Sequence, residues 1–288
     1  MRYENRLPPE GINTSRVHPL RQFLQLAVGA VVLVVILVIV LQYAGSFAAR
    51  RIPFSYELRV MERLDIELGE AQRHPQMTAY LNELAARLSR HLPLPDGMSV
   101  TVHYDSEEVF NAFATVGGNL LFYRGLLSRM PDENTLAMVM AHEISHVLHR
   151  DPVAAVGGGI ASTIALLGLT GNAGTGVAGQ LVSQAGMLTG VQFTRSMEIA
   201  ADDAALAAVN AMYGHVNGAS TLFELFSANR GRQSSTRQAR WLERFLSTHP
   251  LDEDRIRRIS QHVQEQQWRS EGELTPLPAD FRRWLAVD

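Results

Sequence analysis

Apolar positions along the chain follow three rhythms, and each predicts a different element. From Leu26 to Leu41 the run "LAVGAVVLVVILVIVL" has no polar side chain, and the apolar stretch extends over residues 23–44. At 1.5 Å per residue a helix of that length is about 33 Å long, enough to cross a bilayer. A cleaved signal peptide is the rival reading, because Ser46-Phe47-Ala48 resembles a small-x-small cleavage site. The long segment before the run and the length of the run itself favour an uncleaved anchor. The second rhythm is helical: Leu81, Leu84, Leu88 and Leu92 fall at helical spacing within Met77–Leu92. So do Leu136, Val139, Met140, Ile144, Val147 and Leu148, on a helix whose start is marked by Pro131, Asp132 and Glu133 and whose end is set by Pro152. A further helix is predicted over Thr194–Met212, and others to about Gln266. The third rhythm is alternation. "MSVTVHYD" (Met98–Asp105) reads as a strand, and Phe110–Leu127 as two short strands joined at Gly117-Gly118 followed by a helix entry.

These elements divide the chain into a tail (1–22), a transmembrane helix (23–44), a folded domain (52–266) and an irregular C-terminal tail (267–288). The predicted domain is α+β and predominantly α-helical, with a small β-sheet. Arg50-Arg51-Ile52-Pro53-Phe54 leaves little linker, so the domain must sit close to the membrane. The apolar, glycine-rich tract Val153–Gly190 is read as two helices with a loop at Gly171–Gly179, packed on the core or against the membrane. A second span is the alternative; Gly157–Gly159, Ser162 and Thr163 weigh against it.

Composition narrows the function. A net charge of −3 over 288 residues argues against nucleic acid as the main partner. With no cysteine, disulfides and thiolate chemistry are both excluded. Membrane orientation stays open, since Arg2, Arg6, Arg16 and Arg21 before the span balance Arg50, Arg51, Arg59 and Arg63 after it.

The chemistry concentrates in "MAHEISHVLHRD" (Met140–Asp151). His142 and His146 lie four apart on a predicted helix, on one face, where two imidazoles can converge on one metal ion. Glu143 projects about 100° round from His142, beside the open coordination position, where it can polarise a water. His149 is excluded as a third ligand, because it lies about 10 Å along the axis from His142. A catalytic zinc needs one more protein ligand, usually from another helix. Glu198 and Asp202, four apart in "TRSMEIAADDAAL", are the best candidates: one can bind the metal while the other accepts the N–H of a metal-bound histidine. The bland reading is a solvated acidic helix face formed by Glu198, Asp202 and Asp203, and His215, His249 and His262 are further candidates.

Four stretches together, "NAFATVGGNLLFYRGLL", "LAMVMAHEISHVLHRD", "TRSMEIAADDAAL" and "STHPLDEDRIRRI", resemble the membrane-linked gluzincin peptidases. That family includes HtpX, the CAAX prenyl proteases and the mitochondrial Oma-type stress protease. The likeness covers roughly residues 56–260. The single predicted span draws it toward the Oma-like or periplasmic branch. The resemblance implies a gluzincin (zincin-like) metallopeptidase domain holding one Zn2+, with His142, His146 and Glu198 as ligands and Glu143 as general base. It implies that Asp202 and Arg195 support the ligands, and that Asn111, Ala112 and Phe113 form an edge strand that pairs with substrate backbone. Gly117 and Gly118 would leave room for that backbone. His249 falls where the family places a histidine near the active site, as oxyanion stabiliser or fourth ligand, and Arg255 as a helper. The function expected is a membrane-anchored zinc endopeptidase acting on misfolded or membrane-associated polypeptides, in a bacterial-type inner membrane with its catalytic domain in the periplasm. The alternative is a latent or inactive form serving as a membrane-tethered chaperone or scaffold. The oligomeric state is left open.

Overall fold

The computed structural model describes residues 18–64, 68–70, 72–170, 193–219, 221, 249 and 253–286. The expected loop at Gly171–Gly179 and most of the N-terminal tail lie outside them. The elements are α1 (Pro19–Arg50), α2 (Phe54–Leu64), α3 (Pro75–Ser89), β1 (Thr101–Asp105), β2 (Ala112–Thr115), β3 (Asn119–Tyr123), α4 (Arg124–Leu127), α5 (Glu133–Leu148), α6 (Asp151–Thr170), α7 (Arg195–Tyr213), α8 (Glu253–Glu265) and α9 (Phe281–Trp284). The chain is therefore mainly helical with one small sheet. Among the described residues α1 is the one helix long and apolar enough to cross a membrane, with a mean hydropathy of 3.2 over an 18-residue window that is wholly unburied.

The sheet has the order β1-β3-β2, with β1 parallel and β2 antiparallel to the central β3. In β1 only Val102 and Tyr104 are fully buried, which is the alternation seen in the sequence. Its outer edge is closed by Asn82 of α3, whose side chain donates to Val102 O (2.8 Å) and accepts from Val102 N (2.9 Å). On the other side β2 is an edge strand: among the described residues no strand but β3 pairs with it. The turn from β2 to β3 puts both Gly117 and Gly118 at φ +73°. A Cβ on Gly118 would lie 1.9 Å from Ser99 O. Gly117 N donates to Glu57 Oε2 of α2 at 2.8 Å. The chain's own backbone and α2 thus lie beside these glycines, and the turn itself requires them.

α5 forms the axis of the domain. Asp132 caps it, accepting from Thr135 N at 2.7 Å, and every residue from Glu133 to Val147 is buried. Such a helix is enclosed on all sides rather than having one apolar back face. Glu133 is the hub at its start, accepting from Arg87 Nη2 (2.8 Å), Tyr80 Oη (3.0 Å) and Tyr213 Oη (2.9 Å), and so ties α3 and α7 to α5. α5 ends at Leu148, with Arg150 at φ +61°, and α6 starts at once at Asp151, so Pro152 lies inside the first turn of a new helix. The C-terminal segment before α9 has no helix or strand, but it is docked rather than loose. Phe281 is buried against Tyr80, and Thr275 exchanges hydrogen bonds with Glu133 N (2.9 Å) and Asn134 Oδ1 (2.7 Å) at the start of α5.

Candidate metal centre

α5 and α7 pack together, and their facing sides carry the predicted polar residues. His142, Glu143 and His146 come from α5, Glu198 and Asp202 from α7, and all five are buried. His249 arrives from elsewhere in the chain and is also fully buried. One ligand atom from each of His142, His146, Glu198 and His249 lies within 4.8 Å of all the others.

Hydrogen bonding on the outer side of each imidazole decides which nitrogen faces inward. His142 Nδ1 lies 3.0 Å from Asp202 Oδ1, and His146 Nδ1 lies 3.0 Å from Asp151 Oδ2. A carboxylate only accepts, so both Nδ1 atoms carry hydrogen, and in the neutral, metal-binding form both Nε2 atoms present lone pairs. Those Nε2 atoms are 3.1 Å apart. Two lone pairs at that distance repel unless a positive charge lies between them. The Glu198 carboxylate faces both, with Oε2 3.5 Å from His142 Nε2 and Oε1 3.4 Å from His146 Nε2. Donors about 2.05 Å from a tetrahedral zinc stand about 3.3 Å from one another, so the Nε2 pair fits such an ion with the Glu198 carboxylate within reach of it. Phe193 stacks on the His146 ring at 3.9 Å and fixes its plane.

Charge around the cluster matches. Burial works against ionisation of Glu198, but the His249 charge and hydrogen bonds from His142, His146 and His249 hold its carboxyl far below the usual carboxylate range. Asp202 is depressed likewise against burial, chiefly by Arg255. Burial alone would lower the His142 pKa; hydrogen bonds to Asp202 and Glu198 carry it up to about 10. Neither carboxylate oxygen of Glu143 has a hydrogen-bond partner among the described residues, although the residue is completely buried. A buried carboxylate without donors is costly, and beside three converging ligand atoms it suits a group that awaits a water's proton.

Comparison with known proteins is consistent with this geometry. The model of Peptidase family M48 matches residues 71–263, two thirds of the chain. The chain belongs to this family. That membership agrees with the gluzincin resemblance carried by its four sequence stretches. Mitochondrial metalloendopeptidase OMA1 of Schizosaccharomyces pombe is 27% identical over 201 residues, covering 69% of this chain and 56% of that protein. The beta-barrel assembly-enhancing protease of Escherichia coli is 39% identical over 79 residues, 26% of this chain and 15% of that protein. The putative beta-barrel assembly-enhancing protease of Vibrio cholerae is 33% identical over 161 residues, 51% and 31% respectively. The chain thus spans about half the length of the first of these relatives and less of the others.

Within this peptidase some predicted residues are placed differently from expectation. Arg195 is the first residue of α7 and is exposed. The guanidinium that clamps the carboxylates is Arg255 of α8, with Nη1 2.6 Å from Glu198 Oε2 and a two-pronged pair to Asp202 at 2.7 and 2.8 Å. Glu198 and Asp202 point into the interface with α5, so their cation must reach in from a helix laid across them. His149 caps the end of α5, as its place in the sequence suggested. Asn111, Ala112 and Phe113 are buried, at and just before the edge strand β2. Asp151 was missed. It stands in the quoted stretch, but nothing in the spacing shows that the chain breaks at Arg150 and swings the carboxylate back onto His146.

Proposed function

We propose that this metallopeptidase is a membrane-anchored zinc endopeptidase in which His142, His146 and Glu198 hold the metal and Glu143 is the general base. The observation that carries the reading is the Glu143 carboxylate, buried without a hydrogen-bond donor among the described residues, beside a cluster of converging ligand atoms from His142, His146 and Glu198. A zinc ion bound there polarises a peptide carbonyl and makes a water acidic near neutral pH. Glu143 takes the proton of the attacking water and passes it to the departing amine. Asp202 and Asp151 keep the proton on Nδ1 of each histidine, so that both Nε2 atoms remain available. His249 Nε2, 3.5 Å from Glu143 Oε1, stands where it can stabilise charge growing on the carbonyl oxygen. An extended substrate would add to the side of β2 that no described strand pairs, a mode that recognises main chain and tolerates many sequences.

Glu143→Gln should abolish cleavage of an unfolded protein such as casein while the zinc content stays at one per chain. Full activity in that variant would overturn the assignment. Glu198→Ala should instead lose the metal.

One observation favours a second reading, in which the enzyme rests in a latent state. His249 belongs to the four-donor group, with Nδ1 3.0 Å from Glu198 Oε1. As a fourth ligand it would close the position that a water needs. His249→Ala then raises the rate, whereas an oxyanion role lowers it, so the sign of the change separates the two.

We further propose anchoring through residues 23–44 and action on misfolded or membrane-associated polypeptides. The exposed apolar α1 supports the anchor. The relatives named for beta-barrel assembly enhancement support a role in quality control. A periplasmic domain follows the same analogy; a reporter fused after Asp288 that is active only on the cytoplasmic side would refute it.

A further inference from the structure

The two histidines of the proposed metal centre are each held by a carboxylate that is itself held by a guanidinium. On the His142 side the relay is internal to the domain: Asp202, then Arg255 of α8, reinforced by Arg258 Nη2 at 3.3 Å. On the His146 side it leaves the domain. Asp151 Oδ2 takes His146 Nδ1 at 3.0 Å, and Asp151 Oδ1 takes Arg50 Nη2 at 2.8 Å. Arg50 is the last residue of α1, the apolar helix. We propose that Arg50 is a positioning residue of the metal centre, so that the membrane helix, through Asp151, holds a ligand in place. This rests on the reading of the cluster as a metal site.

The contact is part of a built junction. α6 runs back along α1 from Arg50, with Ala49 beside Gly157 and Gly45 beside Ala161, in reversed order. The approach is close enough that a Cβ on Gly157 would lie 2.4 Å from Ala49 Cβ, one on Gly45 2.6 Å from Ala161 Cβ, and one on Gly158 2.5 Å from Ser46 Oγ. Small residues at these positions let the two backbones touch. The short link after α1 is gripped as well: Arg150 Nη2 donates to Ile52 O at 2.6 Å and pairs with Glu57 Oε1 of α2 at 2.6 Å. Ala49, Val116 and Val153 form a small apolar cluster of their own under this joint. The residues just after the histidine helix are thus fixed from the α1 side.

The Asp151 carboxylate is 1% exposed, and among the described residues its side-chain partners are His146 and Arg50. Without that charge the carboxylate loses the contact that sets its rotamer, and His146 loses a fixed acceptor. Removing supporting partners of this kind typically weakens metal binding 10–100-fold. Arg50 lies one step further out, so the lower end of that range, about tenfold, is expected.

The test uses the full chain in lipid nanodiscs, with zinc affinity read by competition against a chromophoric chelator and kcat and KM read on unfolded casein. Arg50 is 42% exposed, and a thermal melt of each variant checks that the fold is retained. Arg50→Gln should raise the zinc Kd about tenfold and lower kcat with KM unchanged, and Arg50→Lys should restore most of both. Arg51→Gln, one residue on, should match the wild type. Wild-type zinc affinity in Arg50→Gln, or an equal loss in Arg51→Gln, overturns the proposal. Absence of zinc binding by the wild type overturns the metal reading itself, a distinguishable result.

Discussion

Replacing Asp202 with asparagine changes one atom and tests whether the site is held from behind. The carboxylate is completely buried and serves His142 Nδ1 (3.0 Å), Arg255 through two bonds (2.7 and 2.8 Å) and Arg258 (3.3 Å). An asparagine has one carbonyl for these donors, and its NH2 group must face either the guanidinium or the imidazole N–H, donor against donor. If the carbonyl turns to Arg255, His142 loses the acceptor that fixes its tautomer, and metal affinity falls about 10–100-fold. If it turns to His142, Arg255 keeps Glu198 but loses a charge partner in a buried setting, where breaking such a pair costs about 3–5 kcal/mol. Relief of the cost of burying Asp202 itself offsets part of that, so about 2–3 kcal/mol of net destabilisation is expected. For a domain of this size that lowers Tm by about 4–12 °C. Thermal melts of chelated and zinc-loaded protein, with chelator competition for Kd, read both quantities. Wild-type Kd together with a Tm change below about 2 °C would refute the reasoning, since one or other donor must go unsatisfied.

Glu133→Ala acts about 13 Å along α5 from the nearest ligand and removes the acceptor shared by Tyr80, Tyr213 and Arg87. It should cost about 2–4 kcal/mol by chemical unfolding, while kcat per folded molecule and zinc content stay at wild-type values. For pH dependence, the chelator-treated protein has the His142 pKa raised above its unfolded value, to about 10. Its contribution to stability is fully present below about pH 6.5 and is lost as pH rises through about 10. Asp202 and Glu198 are depressed, so theirs is present above about pH 4.5 and is lost on acidification. Melts of the metal-free protein should therefore fall from pH 6.5 to 9. Zinc, which binds neutral imidazoles, should flatten that slope and bind more tightly as pH rises. An equal slope with and without zinc contradicts this.

What could be read from the sequence was what one helix carries by itself. His142, Glu143 and His146 sit within a turn of one another, and Glu198 and Asp202 within another, so helical spacing alone grouped them. The clamps on those groups come from far along the chain: Arg255 lies 53 residues beyond Asp202, and Arg50 lies 101 before Asp151. No periodicity encodes such pairs. The same reason hid the pairing of α6 with α1. Gly157–Gly159 read as breakers of an apolar run, yet two of them are the surface on which α1 rests. The sheet was legible because its turn chemistry is local, although the reason for Gly118 lies at Ser99.

The start of α5 is completed by Thr275, 141 residues after the Asn134 that holds it. During synthesis a chain emerges from its N-terminus. The apolar helix comes first, then His142 and His146, then Glu198, His249 and the Arg255 clamp, and last the segment that finishes α5. On the proposed reading of the cluster, a half-made copy holds two histidines and no closed site. On that reading the order of residues along the chain ties the closing of the site to the last part of synthesis.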